Sequence, residues 1–148
     1  MSGSDAASGV TTTLANVACV AIGGRGVLIE GAPGSGKSSL ALVLIDRGAV
    51  LVGDDGVTLE DRQGRLWAAP PPNIAGLIEV RNVGLVSLAT ASAPLALVAR
   101  LDPAAPRYIE HSAEATIDGH ALPMVALWPD TPSLPLRVEY ALKTYGLG

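Results

Sequence analysis

Phenylalanine is absent from this chain and aromatic residues make up only 3% of it, so the core has to be assembled from Val, Leu, Ile and Ala. Cysteine is equally scarce: the single Cys19 excludes an internal disulfide and a cysteine-based metal cluster. Basic residues are outnumbered, 10 Lys and Arg against 14 Asp and Glu. A net charge of −4 offers no cationic surface for a nucleic-acid duplex or an anionic membrane. Long apolar runs are missing too, and stretches such as Leu95–Ala99 are far too short to span a bilayer. The opening MSGSDAASG has neither the basic start nor the apolar centre of an export signal, and residues 1–9 are expected to be a flexible leader. These absences together place the expected location in the cytoplasm.

What is abundant points to a globular chain of one-domain size. The 148 residues are 49% hydrophobic with a mean hydropathy of +0.39, enough for a sizeable core. The 17 Gly and 11 Pro imply many short elements joined by turns, which suits α/β or α+β better than a helical bundle. Along the chain, Thr11–Ile22 reads as a strand closed by Gly23-Gly24, and GVLIE (Gly26–Glu30) as a buried strand. SSLALVLIDRG then has the composition of a helix ending at Gly48, and AVLV (Ala49–Val52) that of another buried strand. Val57–Leu59 and Arg65–Ala69 suggest a hairpin, and Pro70–Pro72 an extended loop. Further strands are expected at Leu77–Val80 and Leu95–Leu101, with a terminal helix over Leu136–Tyr145. Proline punctuates 103–106 and 123–135, and no element is assigned there.

Between the second strand and the helix stands Gly31-Ala32-Pro33-Gly34-Ser35-Gly36-Lys37-Ser38, a match to G-x-x-x-x-G-K-[ST]. Its glycines permit backbone angles that let successive N–H groups point inward at phosphate oxygens. The helix that follows adds unpaired N–H donors and the positive end of its dipole. Lys37 brings a charge for the terminal phosphates, and the Ser38 hydroxyl suits Mg2+. After the next strand come Asp54-Asp55, where an α/β sheet opens its ligand crevice. One carboxylate could hold Mg2+, directly or through water, and the other could accept the proton of an attacking hydroxyl. A solvated D-D-G turn is the plainer account of the pair.

Read together, GVLIEGAPGSGKSSLALVLIDRGAVLVGDDGVTL and IAGLIEVRNVGLVSL resemble the catalytic domain of the HPr kinase/phosphorylase family. The second segment is similar to that family's L-x-E-[IV]-R-G-x-G signature. The resemblance is dense over residues 17–87 and is to the short forms that consist of the catalytic domain only. It implies a P-loop-containing α/β fold with a mixed β-sheet and few helices, forming one nucleotide-binding kinase domain over residues 10–148. It implies ATP as phosphoryl donor, Mg2+ as cofactor, an HPr-like phosphocarrier as protein substrate, and a homo-oligomer, a hexamer in this family. By position, the phosphate loop falls on Gly31–Ser38, with Lys37 on phosphate and Ser38 on Mg2+, which leaves Asp54 as the carboxylate of the pair that could hold Mg2+. The base of the kinase reaction, and acid of its reverse, falls on Asp55. A further metal ligand falls on Glu79, the signature arginine on Arg81, and a later catalytic arginine on Arg107, placed by its distance from Pro123. The plainer account of Glu79 and Arg81 is the solvent face of a strand, since residues two apart share a side.

Two departures stand out. The family's catalytic histidine, thirteen residues before Ile29, falls on Asn16, whose amide cannot titrate near neutrality as imidazole does. The only histidines are His111 and His120. The family's basic segment tied to dephosphorylation corresponds to WPDTPS (Trp128–Ser133), which has no Lys or Arg. The expected function is therefore an ATP-dependent serine kinase, with a phosphorylase activity put in question by that segment. The alternative is a nucleotide-binding regulatory module with little or no transfer activity.

Overall fold

Apolar residues on both faces of successive short strands leave the chain one way to bury them: a central sheet covered on each side. The computed structural model describes residues 11–148, and the leader expected over residues 1–9 lies outside the described residues. The strands are β1 (Thr11–Ala15), β2 (Ala18–Ile22), β3 (Arg25–Gly31), β4 (Val50–Gly53), β5 (Gly56–Arg62) and β6 (Arg65–Ala69). They continue with β7 (Leu77–Val80), β8 (Gly84–Ser87), β9 (Ala93–Leu101), β10 (Ala113–Ile117) and β11 (His120–Leu127). Helix α1 (Lys37–Asp46) follows β3, and α2 (Leu134–Tyr145) follows β11. This is the mixed sheet with few helices that the sequence implied.

The main sheet runs β1-β5-β6-β9-β3-β2-β4, with β11 also pairing β9 and β10 pairing β11; β7 and β8 form a separate ribbon. Parallel pairing joins β3 to β9 and β9 to β11, ending in line at Gly31, Leu101 and Leu127. The loops that follow these strands therefore leave from one end of the sheet, and the glycine-rich loop Gly31–Ser38 is among them.

Side-chain alternation splits the core. Ala18 and Val20 of β2, Val27 and Ile29 of β3 and Leu97, Ala99 and Leu101 of β9 face the helices, meeting Leu40 and Leu44 of α1 and Val138 and Leu142 of α2. Cys19, Leu28, Leu95 and Val98 face the other way, onto Val57 and Leu59 of β5 and Leu66 of β6. A register shift between Gly26 and Val27 opposite β9 lets Ala96 join Leu97 on the helix side.

The expected single strand over Thr11–Ile22 is two. Asn16 takes a left-handed φ of 64°, which Asn tolerates better than most residues, and the chain leaves β5 to pair with β3 and β4 instead. The terminal helix begins two residues before the expected Leu136, with Pro135 in its first turn, where a missing N–H costs nothing. Between the expected strand ending at Leu101 and the expected terminal helix, where the sequence suggested no element, lie β10 and β11, joined at Asp118-Gly119, both with positive φ. This is an Asp-Gly hairpin turn. Pro123 is accommodated because β11 pairs with β9 only from Met124 onward.

Candidate active site

The loop between β3 and α1 owes its path to its glycines. Gly36 stands immediately before α1 with φ 98°, and Gly34 has φ 79°, conformations that a side chain would strain. Leu40 N–H donates to Gly36 O (2.9 Å), the first bond of the helix. The amides of residues 36–39 precede that bond and have no helical acceptor. Lys37 folds back over the loop, its Nζ donating to Gly31 O (2.9 Å) and Ala32 O (3.1 Å). A phosphate oxygen would compete with those carbonyls for the ammonium protons.

Asp54 is buried, 9% exposed, in the turn from β4 to β5. Its Oδ1 accepts from Ser38 Oγ (2.5 Å) and its Oδ2 from the Glu79 N–H (3.3 Å). One carboxylate thus ties the start of α1 to β7. The turn depends on Gly53, where a Cβ would collide with Gly56 O and meet Val57 Cγ1 at 2.9 Å. Asp55, next along, is exposed with φ 61°, so the two carboxylates face different surroundings.

Two adjoining cavities gather the sequence-identified residues. One, of about 120 Å3, is lined by Gly34, Gly36, Lys37, Ser38, Glu79 and Arg81, together with Ser39. The other, of about 350 Å3, is lined by Asp54, Asp55, Ile74, Leu77 and Leu85, and shares Ser38 and Glu79 with the first. Ser39 was not singled out in the sequence. Its signal was its place directly after Ser38 in the first turn of α1, where a backbone N–H is free. Arg107 lies elsewhere: it is exposed and borders a separate cavity of about 430 Å3 with Trp128 and Arg137.

The structure also gives Asn16 a position. β1 pairs with β5 up to Ala15 opposite Gly56, and the Asn16 N–H donates to Asp55 O (3.1 Å). The residue standing where the resemblance placed a histidine is therefore next to the residue read as the base. Neither histidine takes that place. His120 Nε2 contacts Asp61 Oδ2 (2.8 Å) toward the other end of β5, and His111 is exposed on a loop.

These residues fit a magnesium nucleotide. Ser38, Asp54 and Glu79 present only oxygen donors, the set a small hard cation takes. Among the described residues no three of His, Cys, Asp or Glu gather into a metal cage. Mg2+ needs none, because it keeps waters and takes phosphate oxygens from its substrate.

A family model, the HPr serine kinase C-terminal domain, matches residues 10–92. The chain belongs to this family. Its match covers the loop, the paired aspartates and the Glu79–Arg81 signature together. Within the family, the chain is 44% identical over 71 residues to the HPr kinase/phosphorylase of Clostridium beijerinckii, covering 48% of this chain and 24% of that protein. It is 44% identical over 81 residues to that of Brevibacillus brevis, covering 54% of this chain and 26% of that protein. The matched stretch is thus about a quarter of the length of these curated relatives. The fold is similar to the solved Hpr(Ser) kinase/phosphatase from Coxiella burnetii, with a TM-score of 0.75, 27% identity, and 89% of this chain and 88% of that chain covered. The structural likeness extends well beyond the family-model match. No helix among the described residues is long and apolar enough to cross a membrane.

Proposed function

We propose that the chain is a Mg·ATP-dependent kinase domain that phosphorylates a serine of an HPr-like phosphocarrier protein. The observation that carries this reading is the convergence of Lys37, Ser38, Asp54, Asp55, Glu79 and Arg81 on two adjoining cavities, in a member of the HPr serine kinase family. Phosphoryl transfer asks a protein for positioning and charge neutralisation more than for covalent chemistry. The amides from Gly34 to Ser39 would hold the polyphosphate, and Lys37 and Arg81 would neutralise charge building on the transferred group. Ser38, Asp54 and Glu79 would hold Mg2+, which when bound supplies charge to the phosphate oxygens.

Asp55, exposed and free of Ser38, would accept the proton of the attacking serine hydroxyl. Ile74 and Leu85, 48% and 71% exposed, border the cavity that holds Asp55. Apolar groups at the mouth of a site suit a protein substrate laid across it better than a small polar one. Arg107 contributes only if the substrate or a loop movement brings the two cavities together.

The test is transfer of labelled phosphate from Mg·ATP to a purified HPr-type phosphocarrier. Label on a serine of the carrier supports the reading, and its absence with confirmed ATP binding favours a regulatory module. That second reading has its own observation: Asn16, not a histidine, adjoins Asp55, and Trp128–Ser133 has no cation.

A further inference from the structure

The loop after β9, the end of β11 and α2 enclose the cavity of about 430 Å3 whose walls include Arg107, Ile109, Val125, Trp128 and Arg137. It shares no lining residue with the cavities of Lys37 and Asp55. Nor does it share one with an apolar cleft of about 240 Å3 that continues from the glycine-rich loop along α1. Its frame is tied down by local bonds. Asp102 turns the loop, its Oδ1 accepting from the Ala104 N–H (2.8 Å) and its O from the Ala105 N–H (3.1 Å). Ala105 O accepts from Trp128 Nε1 (2.6 Å), and the Arg137 guanidinium lies over the Trp128 ring, 5.5 Å from its centroid. Walls held in this way lose little freedom when a ligand enters.

The lining sets two cations over an apolar floor. Val125 and Leu127 are buried in the core. Arg107 and Arg137 form no ion pair among the described residues, whereas Arg47, Arg62 and Arg100 each hold a carboxylate. In a chain with a net charge of −4, two such arginines on one cavity call for an anion. The remaining lining narrows its class. No hydroxyl, amide or carboxylate side chain lines the cavity, so a sugar or polyol would leave its own hydroxyls unpaired. Trp128 Nε1 is already engaged, so the guanidiniums are the side-chain donors left. A planar carboxylate is satisfied by such a fork with two parallel bonds, while the three terminal oxygens of a phosphate need further donors.

We propose that this cavity binds a small carboxylic acid with an apolar or aromatic body. Arg107 and Arg137 hold the carboxylate, and the body lies on Trp128, Ile109 and Val125. The site is separate from that of the phosphoryl donor and does not depend on the kinase reading.

The test titrates hydrocinnamate, a phenyl ring on a short carboxylic acid, into the whole 148-residue chain. The readout is the NMR signal of the indole N–H of each of its two tryptophans, assigned with Trp67→Phe. Hydrocinnamate is expected to move the Trp128 signal and leave that of Trp67 in place. It should bind about tenfold or more tighter than hydrocinnamyl alcohol, which lacks the charge, or glycerol phosphate, a polyol anion. Arg107→Gln and Arg137→Gln should each weaken it about tenfold, and Arg107 is exposed, so its replacement leaves the core untouched. Lys37→Ala should keep its affinity within about twofold. An unmoved Trp128 signal at millimolar hydrocinnamate overturns the proposal, as does equal binding of the alcohol or of glycerol phosphate. Undiminished affinity in both glutamine variants overturns it too. A loss in Lys37→Ala as large as in Arg107→Gln would put the acid on the glycine-rich loop, and defeats the proposal equally.

Discussion

At the scale of single residues, the roles proposed for the loop lysine and the paired aspartates can be separated by experiment. Lys37→Ala removes the charge now resting on Gly31 O and Ala32 O. It is expected to abolish the rise in melting temperature that Mg·ATP gives the unaltered chain; a melting shift that persists would count against the loop as the phosphate site. Asp55→Asn should keep ATP binding, because Asp55 bonds to neither Ser38 nor Glu79, yet lower serine transfer by about 100-fold or more. Wild-type turnover in that variant would remove Asp55 from the role of base. Asn16→His restores an imidazole at the residue whose N–H meets Asp55 O, and should add a pH dependence to transfer near neutrality. Cys19 lies buried in the core facing β5 and β6. Burial pushes its thiol up to about 12, so at pH 8 it should resist iodoacetamide until the chain is unfolded. Mass spectrometry of the native and unfolded protein decides this.

At the scale of elements, the β4–β5 turn links fold to chemistry most directly. It puts Asp54 against Ser38 and Glu79, and Gly53 allows it to pass against Gly56 and Val57. Gly53→Ala should cost about 1–3 kcal/mol by overpacking and lower transfer by more than that loss of stability explains, since Asp54 moves with the turn. Urea denaturation beside the transfer assay checks both. Sequence reasoning placed α1, β3, β4 and the β5–β6 hairpin because each is short, apolar and bounded by glycine or a turn. It missed the break at Asn16, since nothing in a run of β-branched and small residues says which neighbour each half will pair with. It also missed β10 and β11, because Pro123 obscured a strand whose only local mark was Asp118-Gly119.

At the scale of the whole molecule, β9 belongs to both halves of the core, with Leu97 facing the helices and Leu95 facing β5 and β6. Leu97→Ala and Leu95→Ala should each cost about 2–5 kcal/mol. Trp67 lies on β6 and Trp128 just after β11, next to α2, so their fluorescence reports different parts of the molecule. Both signals should change together with far-UV circular dichroism; separate transitions would show halves that unfold independently. The sequence by itself marked the glycine-rich loop Gly31–Ser38 and the aspartate pair, because local spacing sets backbone angles there, and marked Glu79 and Arg81 through their resemblance to the family signature. Only the tertiary structure decided that Glu79 N–H meets Asp54, that Asn16 adjoins Asp55, that Arg107 borders a different cavity, and that an apolar cleft continues from the loop. Those relations join residues far apart in the chain, and strand pairing and packing set them where no local pattern can.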